Sequence, residues 1–476
     1  MGAVRALIVT PGVAYAIWVV LACMAAGLVS ARHRGRKSWQ PAALAALCAA
    51  STVAFAVLNW GRATPFGDFN KAYYTAGLFA MTDPSRLYEC SAGNLCFVNI
   101  PIVALLFSPL AGLPLEAARL IFTLAGIIAI VVFTGGLVRA LRLSGAAVYA
   151  LVAIVALNGP LLYSVRLGNV THVMLPLLLF GILCLIRGHE RSGGIVLALI
   201  AVLKPPFLLF GVYLIARARW RTALFYGLTI AVTFVVSLAV FGADLHAEWL
   251  RDLGRFSRWP VGAYNAQSVV SALARAIHPY NLINWEPLVV ARWFDVVRQI
   301  AVFALVTVTA VVLSRTGSPR TDSARWHELN IVLVLTLLVA PITWTHYYAF
   351  CLIPLSSYVT TFVRAAPVDR LRYLTLLALL SAPVVLVLPE QAIVRALHER
   401  VIVSHYVWGG LILLTAIVLS RLQGFEVFET AVRDDNGLIA AEAFSREARC
   451  DQDVLSHSGP GARRDRGGPV AGNSIS

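Results

Sequence analysis

The sequence predicts an all-α polytopic membrane protein. Of its 476 residues, 59% are hydrophobic and only 13% are charged, whereas a soluble globular domain carries roughly 25% charged residues. Apolar runs of about 20 residues, the length that spans a hydrocarbon core about 30 Å thick as a helix, recur as far as Ser420. We therefore expect a bundle of roughly 11 to 13 transmembrane helices, with interfacial helices in its outer loops.

The basic residues follow the positive-inside rule. The formal net charge is +15, but Lys and Arg recur in short clusters between the apolar runs and do not gather on one soluble face. This excludes a nucleic-acid-binding protein, which needs a concentrated basic surface. If these clusters are cytosolic, the N-terminus lies outside. Residues 6–30 then form a retained helix, and the basic residues at 32–37 form its stop-transfer flank.

The bundle is expected to cover residues 1–423, with long outer loops at 60–114 and 242–290. Within the first loop, residues 97–114 are apolar but interrupted by three prolines. We expect a re-entrant or interfacial element there, because the prolines leave too little uninterrupted helix for a crossing. Residues 424–476 are polar and lack sustained periodicity, which predicts a disordered cytosolic tail.

The apolar run at 193–216 contains K-P-P at 204–206, which predicts two half-length helices joined by a bend. Irregular backbone at membrane depth is tolerated only where it is buried in protein or lines a wet cavity. A lysine in such a bend needs an anion or water to offset its desolvation. Lys204 is therefore expected to face a cavity and to contact a ligand there.

The polar segment at 59–74 carries one carboxylate, Asp68, where a long apolar run ends. An ionisable group at a membrane boundary is a candidate functional residue. Asp68 could instead cap a helix that begins with F-N-K-A-Y-Y. The two interpretations do not exclude each other.

The predicted topology brings polar residues from five separate segments to the outer side of the bundle. Each has a simpler explanation: Arg166 could reach lipid headgroups, His346 could belong to an interfacial belt, and the amide and imidazole groups could satisfy local turns. Their convergence nevertheless indicates a binding cavity. The candidates are Asp68 with Tyr73 and Tyr74; Arg166, Asn169 and His172; Lys204; Asn265 and Gln267; and Trp344 and His346.

The seven cysteines are scattered and include no C-x-x-C and no Cys/His spacing suited to zinc. Cys90 and Cys96 both fall in the first outer loop, so we consider a disulfide between them. The sequence contains no hydrolase triad motif, no P-loop and no metal-ligand cluster. We therefore expect neither a cofactor nor a catalytic metal.

A carboxylate beside cations on the outer face of a lipid-embedded bundle suits sugar transfer from a lipid-phosphate carrier. Arg166, Lys204, His346 and Asn169 would bind the donor and stabilise the departing phosphate, while Asp68 would act as general base on an alcohol acceptor. Tyr73, Tyr74, Asn265, Gln267 and Trp344 would line the acceptor side of the pocket.

The motifs G-D-F-N-K-A-Y-Y, I-P-I-V-A-L-L-F-S-P-L-A-G-L-P, R-L-G-N-V, Y-N-A-Q-S and W-T-H-Y-Y, in this order, resemble those of glycosyltransferase family 87. That family has the GT-C fold and includes the mycobacterial mannosyltransferase of phosphatidylinositol mannoside synthesis. The resemblance implies a polyprenyl-phosphate-mannose donor, a periplasm-facing site in the bacterial plasma membrane and an inverting, metal-independent transfer to a lipid or glycan acceptor. The family's catalytic aspartate corresponds to Asp68, and its outer-face histidine to His346.

Two departures from the family pattern bear on acceptor choice. Members often have G-Q where this chain has Gly168 and Asn169, and Y-P-P where this chain has N-I-P at 99–101. Two alternatives to a mannosyltransferase stay open. A flippase or transporter of lipid-linked sugars predicts polar residues at both faces or the midplane, whereas a polymer ligase would use the same carriers with a saccharide chain as donor.

Overall fold

The computed structural model describes residues 66–89, 97–278, 281–364, 367–382, 384 and 391–428. The predicted spans at 6–30 and 41–59, the disulfide candidates Cys90 and Cys96, and nearly all of the predicted tail lie outside these residues. Within them the structure is helical, and the only β-pairing is an isolated bridge between Ala266 and Trp344. The described helices up to Val427 belong to one compact unit.

The helices of eight or more residues are numbered here in chain order. They are α1 (Thr75–Thr82), α2 (Leu115–Ala140), α3 (Ala146–Ala156), α4 (Gly159–Leu167), α5 (Thr171–Ile186), α6 (Glu190–Leu203), α7 (Leu209–Ala216), α8 (Trp220–Arg258), α9 (Val269–Ile277), α10 (Arg292–Arg315), α11 (Asp322–Val339), α12 (Pro367–Ser381), α13 (Ala392–Arg400) and α14 (His405–Leu422).

Shorter helical segments connect them. A π-helix covers Phe69–Tyr74, and 3-10 helices cover Pro84–Arg86, Pro205–Leu208, Thr345–Cys351 and Ile402–Ser404; the short α-helices are Ile102–Leu105, Ser108–Ala111, Leu352–Ser356 and Val359–Arg364.

Four helical stretches among the described residues are long and apolar enough to cross a bilayer: Leu115–Ala140, Trp220–Arg255, Arg292–Arg315 and Ala392–Leu422. The pair α3 and α4, bent by 47°, would make a fifth. The predicted count of roughly 11 to 13 spans is therefore not confirmed. Helix α5, with 16 residues, and helix α7, with 8, are apolar but shorter than a crossing needs. An apolar run in the sequence therefore does not always become a helix long enough to span.

The prolines break helices where the sequence predicts. Residues 97–114 form two four-residue helices, Ile102–Leu105 and Ser108–Ala111, and no span. Helix α6 ends at Leu203 and the chain resumes as a 3-10 helix at Pro205. The predicted break at Lys204 is thus confirmed.

Helix α11 lies at the centre of the bundle and is buried along nearly its whole length. It packs against α14, while α6 packs between α5 and α8. Helices α2, α8 and α10 instead expose apolar side chains such as Ile128, Val235 and Phe303. An exposed apolar face of this extent suits contact with lipid.

Helix α8 continues beyond its expected end. The sequence predicts a span that stops before Gly242, but the helix runs to Arg258 across a kink at Gly242, where φ is +77°. Glycine permits this conformation because it has no Cβ. The predicted outer loop at 242–290 therefore begins as helix and also contains α9.

Candidate active site

The segment that carries Asp68 docks onto the C-terminal end of α4. The amide of Phe66 donates to the carbonyl of Arg166 at 2.8 Å. Gly168 follows α4 with a left-handed φ of +65°, and a Cβ at this position would lie 2.6 Å from the Cβ of Phe69. The turn therefore requires glycine for two reasons, its conformation and the close approach of the segment.

Asp68 occupies the N-cap position of the π-helix, but its side chain makes no capping hydrogen bond. Its Oδ2 instead accepts a hydrogen bond from Nδ2 of Asn169 at 2.7 Å. The interpretation of Asp68 as a simple helix cap is thus wrong. The half-buried carboxylate faces the turn after α4.

Asn169 connects the two charged groups of the site. Besides Asp68, its Nδ2 donates to the Tyr73 hydroxyl at 3.2 Å. Its Oδ1 accepts from the backbone N and Oγ1 of Thr171, at 3.0 and 2.8 Å, and from Nζ of Lys204 at 3.2 Å. One amide thus links the carboxylate to the ammonium group.

Lys204 lies at the break between α6 and the following 3-10 helix and is only 4% exposed. Its ammonium lies 4.1 Å from the centroid of the Tyr347 ring, a cation–π contact. The contact with Asn169 directs the same ammonium group toward Asp68. The expectation that Lys204 faces the site is consistent with these contacts.

Burial raises the pKa of Asp68 above its ordinary value, while the hydrogen bond from Asn169 and the charge of Lys204 act in the opposite direction. A carboxylate with a raised pKa is a stronger proton acceptor. The environment of Asp68 therefore suits a general base.

His346 lies on the 3-10 helix Thr345–Cys351 and is 3% exposed. Both of its ring nitrogens are buried without a hydrogen-bond partner among the described residues. The ring lies 5.0 Å from that of Tyr347 and 6.3 Å from that of Tyr163, and it interacts electrostatically with Lys204. Because an unpaired buried polar group is costly, this imidazole is a candidate ligand contact.

The Y-N-A-Q-S motif pairs with the chain around Trp344. The carbonyl of Asn265 accepts a hydrogen bond from the amide of Thr345 at 2.8 Å, and Ala266 forms a β-bridge with Trp344. The Asn265 side chain accepts from Nε1 of Trp285 at 2.8 Å. These contacts hold the motif beside the segment that carries His346.

Gln267 and Trp344 serve mainly to connect segments. The side-chain nitrogen of Gln267 donates to the carbonyls of Tyr264 and Val403, and Trp344 packs against the small cluster of Val261, Ala263 and Ala266. Neither contact is with the carboxylate or the ammonium group.

The predicted residues outside the Asn169 network make other contacts. The Tyr74 hydroxyl donates to the Leu113 carbonyl. His172 is buried, with Nδ1 2.9 Å from Oγ of Ser164 and its ring against Gly126. Arg166 is half-buried, and its carbonyl supports the Asp68 segment.

Sequence reasoning missed two of the tyrosines near Asp68, Tyr163 and Tyr347. Tyr73, Tyr163 and Tyr347 all interact electrostatically with Asp68, but of these the sequence singled out only Tyr73. The hydroxyl of Tyr163 lies 3.1 Å from that of Tyr264. Tyr163 comes from an apolar helix, whereas Tyr347 lies inside W-T-H-Y-Y and could have been included with His346.

Arg275 on α9 was also missed. It is 1% exposed, and its guanidinium donates to the carbonyls of Ala263 and Ala266 and to Oγ of Ser404. These bonds fix the loop that carries Asn265. The sequence does not indicate this role, because an arginine in an amphipathic helix is ordinary.

The site as a whole combines a carboxylate, a buried ammonium group and an imidazole whose ring nitrogens have no hydrogen-bond partner among the described residues. Such a set can deprotonate a hydroxyl and hold an anionic leaving group. Among the described residues, no three His, Cys, Asp or Glu side chains are grouped as metal ligands.

Comparison with known proteins identifies the family of the chain. The sequence model of glycosyltransferase family 87 matches residues 97–341, slightly more than half of the chain. The match includes Asn169, Lys204 and Asn265, whereas Asp68 and His346 lie outside it. No curated protein matches the sequence. The chain belongs to glycosyltransferase family 87 and is a membrane glycosyltransferase.

Proposed function

We propose that the protein transfers a hexose, specifically mannose, from a polyprenyl-phosphate carrier to a hydroxyl group of a lipid or glycan acceptor. The transfer takes place on the periplasmic face of a bacterial plasma membrane. The observation that carries the proposal is the amide of Asn169, which holds the Asp68 carboxylate at 2.7 Å and the Lys204 ammonium at 3.2 Å. The side chain of Asn169 thus bridges a proton acceptor and an anion-binding group.

Asp68 acts as the general base. Its carboxylate takes the proton of the acceptor hydroxyl as that oxygen attacks the anomeric carbon of the donor sugar. The bond between the anomeric carbon and the phosphate oxygen breaks, its electron pair leaves with the polyprenyl phosphate, and the anomeric configuration inverts. The raised pKa of Asp68 favours this proton transfer.

Lys204 stabilises the phosphate that departs. Its ammonium is buried, so its attraction to a phosphate is stronger than in water. Tyr347 and Asn169 contact Lys204 without neutralising its charge. His346, whose ring nitrogens have no partner in the described structure, supplies a further hydrogen bond to the donor, and Arg166 approaches the phosphate from the end of α4.

The test compares Asp68→Asn with a matched variant, Asp83→Asn. Asp83 ends α1 in the same outer segment, and its side chain bonds only the exposed Ser85 among the described residues. Purified variants receive radiolabelled polyprenyl-phosphate mannose, with the lipid extract of cells that lack the protein as the acceptor pool. We expect Asp68→Asn to abolish transfer and to keep donor binding, and Asp83→Asn to match the wild type.

Lys204→Met provides the second half of the test. It removes the charge and keeps an apolar chain of similar length, so we expect weaker donor binding together with slower transfer. Full transfer by Asp68→Asn, or unchanged donor binding by Lys204→Met, would contradict these roles. Transport of the intact donor across vesicles without transfer would instead favour the flippase alternative.

A further inference from the structure

We propose that Asn169 is a positioning residue that keeps the Asp68 carboxylate and the Lys204 ammonium from pairing directly, and that it does not bind the sugar donor. This inference deepens the proposed function and rests on it for the roles of the two charged groups. It replaces the sequence-based expectation that Asn169 belongs to the donor-binding set.

The hydrogen-bonding capacity of the Asn169 side chain is fully used. A primary amide has two N–H donors and one carbonyl oxygen with two lone pairs. The donors contact Asp68 and Tyr73, and the oxygen already accepts from Thr171 twice and from Lys204. With 4% of the residue exposed, no group is left to contact a donor.

The chemistry of the partners fixes the orientation of the amide. A backbone N–H and an ammonium group can only donate, so the carbonyl oxygen must face Thr171 and Lys204. An ionised carboxylate can only accept, so the NH2 group must face Asp68. The opposite orientation would break the bonds to all three residues.

The backbone of Asn169 is held as firmly as its side chain. Its amide donates to the Ser164 carbonyl at 2.9 Å, and its carbonyl accepts from Oγ of Ser164 at 3.2 Å. The left-handed turn at Gly168 sets the direction of the chain. The side chain therefore has little freedom to swing toward a ligand.

Direct pairing would weaken both charged groups for catalysis. A carboxylate next to a cation has its pKa lowered by about 1 to 3 units, which makes it a poorer base. An ammonium group already paired with a carboxylate attracts a phosphate less. A neutral amide between them orients both groups and neutralises neither.

The ionisation of Asp68 is the readout, because a merely structural role of Asn169 would not move it. The charged and titratable groups that surround the carboxylate are Lys204, Tyr73, Tyr163 and Tyr347. Two further cations lie nearby, Arg166 on α4 and Arg119 on α2, whose Nε donates to Asn70.

The experiment measures how fast a carbodiimide, which reacts with protonated carboxyl groups, modifies Asp68 across a pH series. Peptide mass spectrometry reads the modification in the full chain, and Asp83 serves as an internal reference. Because this measurement needs no substrate, it reports on Asn169 even where transfer is abolished. The pH dependence of transfer, measured with polyprenyl-phosphate mannose, is recorded beside it.

Two substitutions are expected to move the Asp68 midpoint differently. Asn169→Leu fills the space but donates no hydrogen bond, so the midpoint should rise by about one pH unit. Asn169→Ala leaves a gap through which Lys204 can reach Asp68, so its midpoint should lie below that of Asn169→Leu. Asn169→Gln keeps both ends of the amide and should restore the wild-type midpoint and most of the transfer rate.

Equal midpoints in Asn169→Leu and Asn169→Ala would overturn the spacer role, and an unmoved midpoint in both would overturn any contact with the base. A variant that raises only the KM for the donor would identify Asn169 as a donor ligand and also refute the proposal. The proposed function fails separately, if Asp68→Asn retains transfer.

Discussion

The contact between Gly168 and the Asp68 segment can be tested by Gly168→Ala. An alanine at φ +65° costs about 1 to 2 kcal/mol, because its Cβ crowds the following carbonyl. The same Cβ would lie 2.6 Å from Cβ of Phe69 and 3.0 Å from Cδ1 of Phe66. Overpacking of this kind costs about 1 to 3 kcal/mol. Together the two effects predict a loss of about 2 to 5 kcal/mol of folding free energy.

Gly188→Ala separates the two effects. Gly188 follows α5 with φ +78°, and a Cβ there would meet nothing within 4 Å. The two helix ends have the same hydrogen-bond pattern. The amide of Asn169 donates to the carbonyl of Ser164 at 2.9 Å, and the amide of His189 donates to the carbonyl of Cys184 at 2.8 Å. Gly188→Ala should therefore cost only the conformational part, about 1 to 2 kcal/mol.

The assay is the apparent unfolding transition in detergent together with the transfer rate. Gly168→Ala should lower both, since Phe69 must move and Asp68 moves with it, whereas Gly188→Ala should lower only the transition. If the two variants lose equal stability and both keep full transfer, the docking of the Asp68 segment on this turn is wrong.

Two further predictions concern buried charges. Glu328→Gln should destabilise the protein by about 3 to 5 kcal/mol, because it leaves the half-buried guanidinium groups of Arg217 and Arg421 without the fully buried carboxylate that pairs with them. Denaturation in detergent measures the loss, and an unchanged transition would contradict it. Arg275→Met should reduce the transfer rate roughly tenfold to hundredfold, because it releases the loop around Asn265. The control Arg251→Met, on the exposed face of α8, should leave the rate unchanged. Equal rates in both variants would show that this loop needs no anchor.

The sequence predicts local breaks well because proline acts on its immediate neighbours. The interruption at Lys204 and the two short helices before Gly112 follow directly from a ring that removes a donor and clashes with the preceding turn. The number of transmembrane spans is harder to predict from the sequence. Whether α5 or α7 reaches the length of a crossing depends on where neighbouring helices end, and hydropathy alone does not contain that information.

The site was predictable to the extent that its residues carry charge. Asp68 and Lys204 stand out because an ionisable group in an apolar stretch needs a reason. The function of Asn169 did not stand out, since it depends on two partners 101 and 35 positions away in the sequence. Tyr163 did not stand out either, because a tyrosine in an apolar helix is ordinary.

A comparison of Glu328 with Asp68 shows why the amide matters. Glu328 is fully buried and bonds directly to Arg217, Arg421 and Tyr213, with Arg217 Nη2 only 2.6 Å from its Oε1. Every lone pair that could accept a proton from a substrate is occupied by a cation or a hydroxyl, so this carboxylate can hold helices together but is a poor base. Asp68 has one amide donor and a cation kept at the far end of that amide. A carboxylate and a cation in direct contact therefore hold helices together at Glu328, whereas in the mechanism we propose the same two kinds of group serve catalysis at Asp68 and Lys204 because Asn169 separates them.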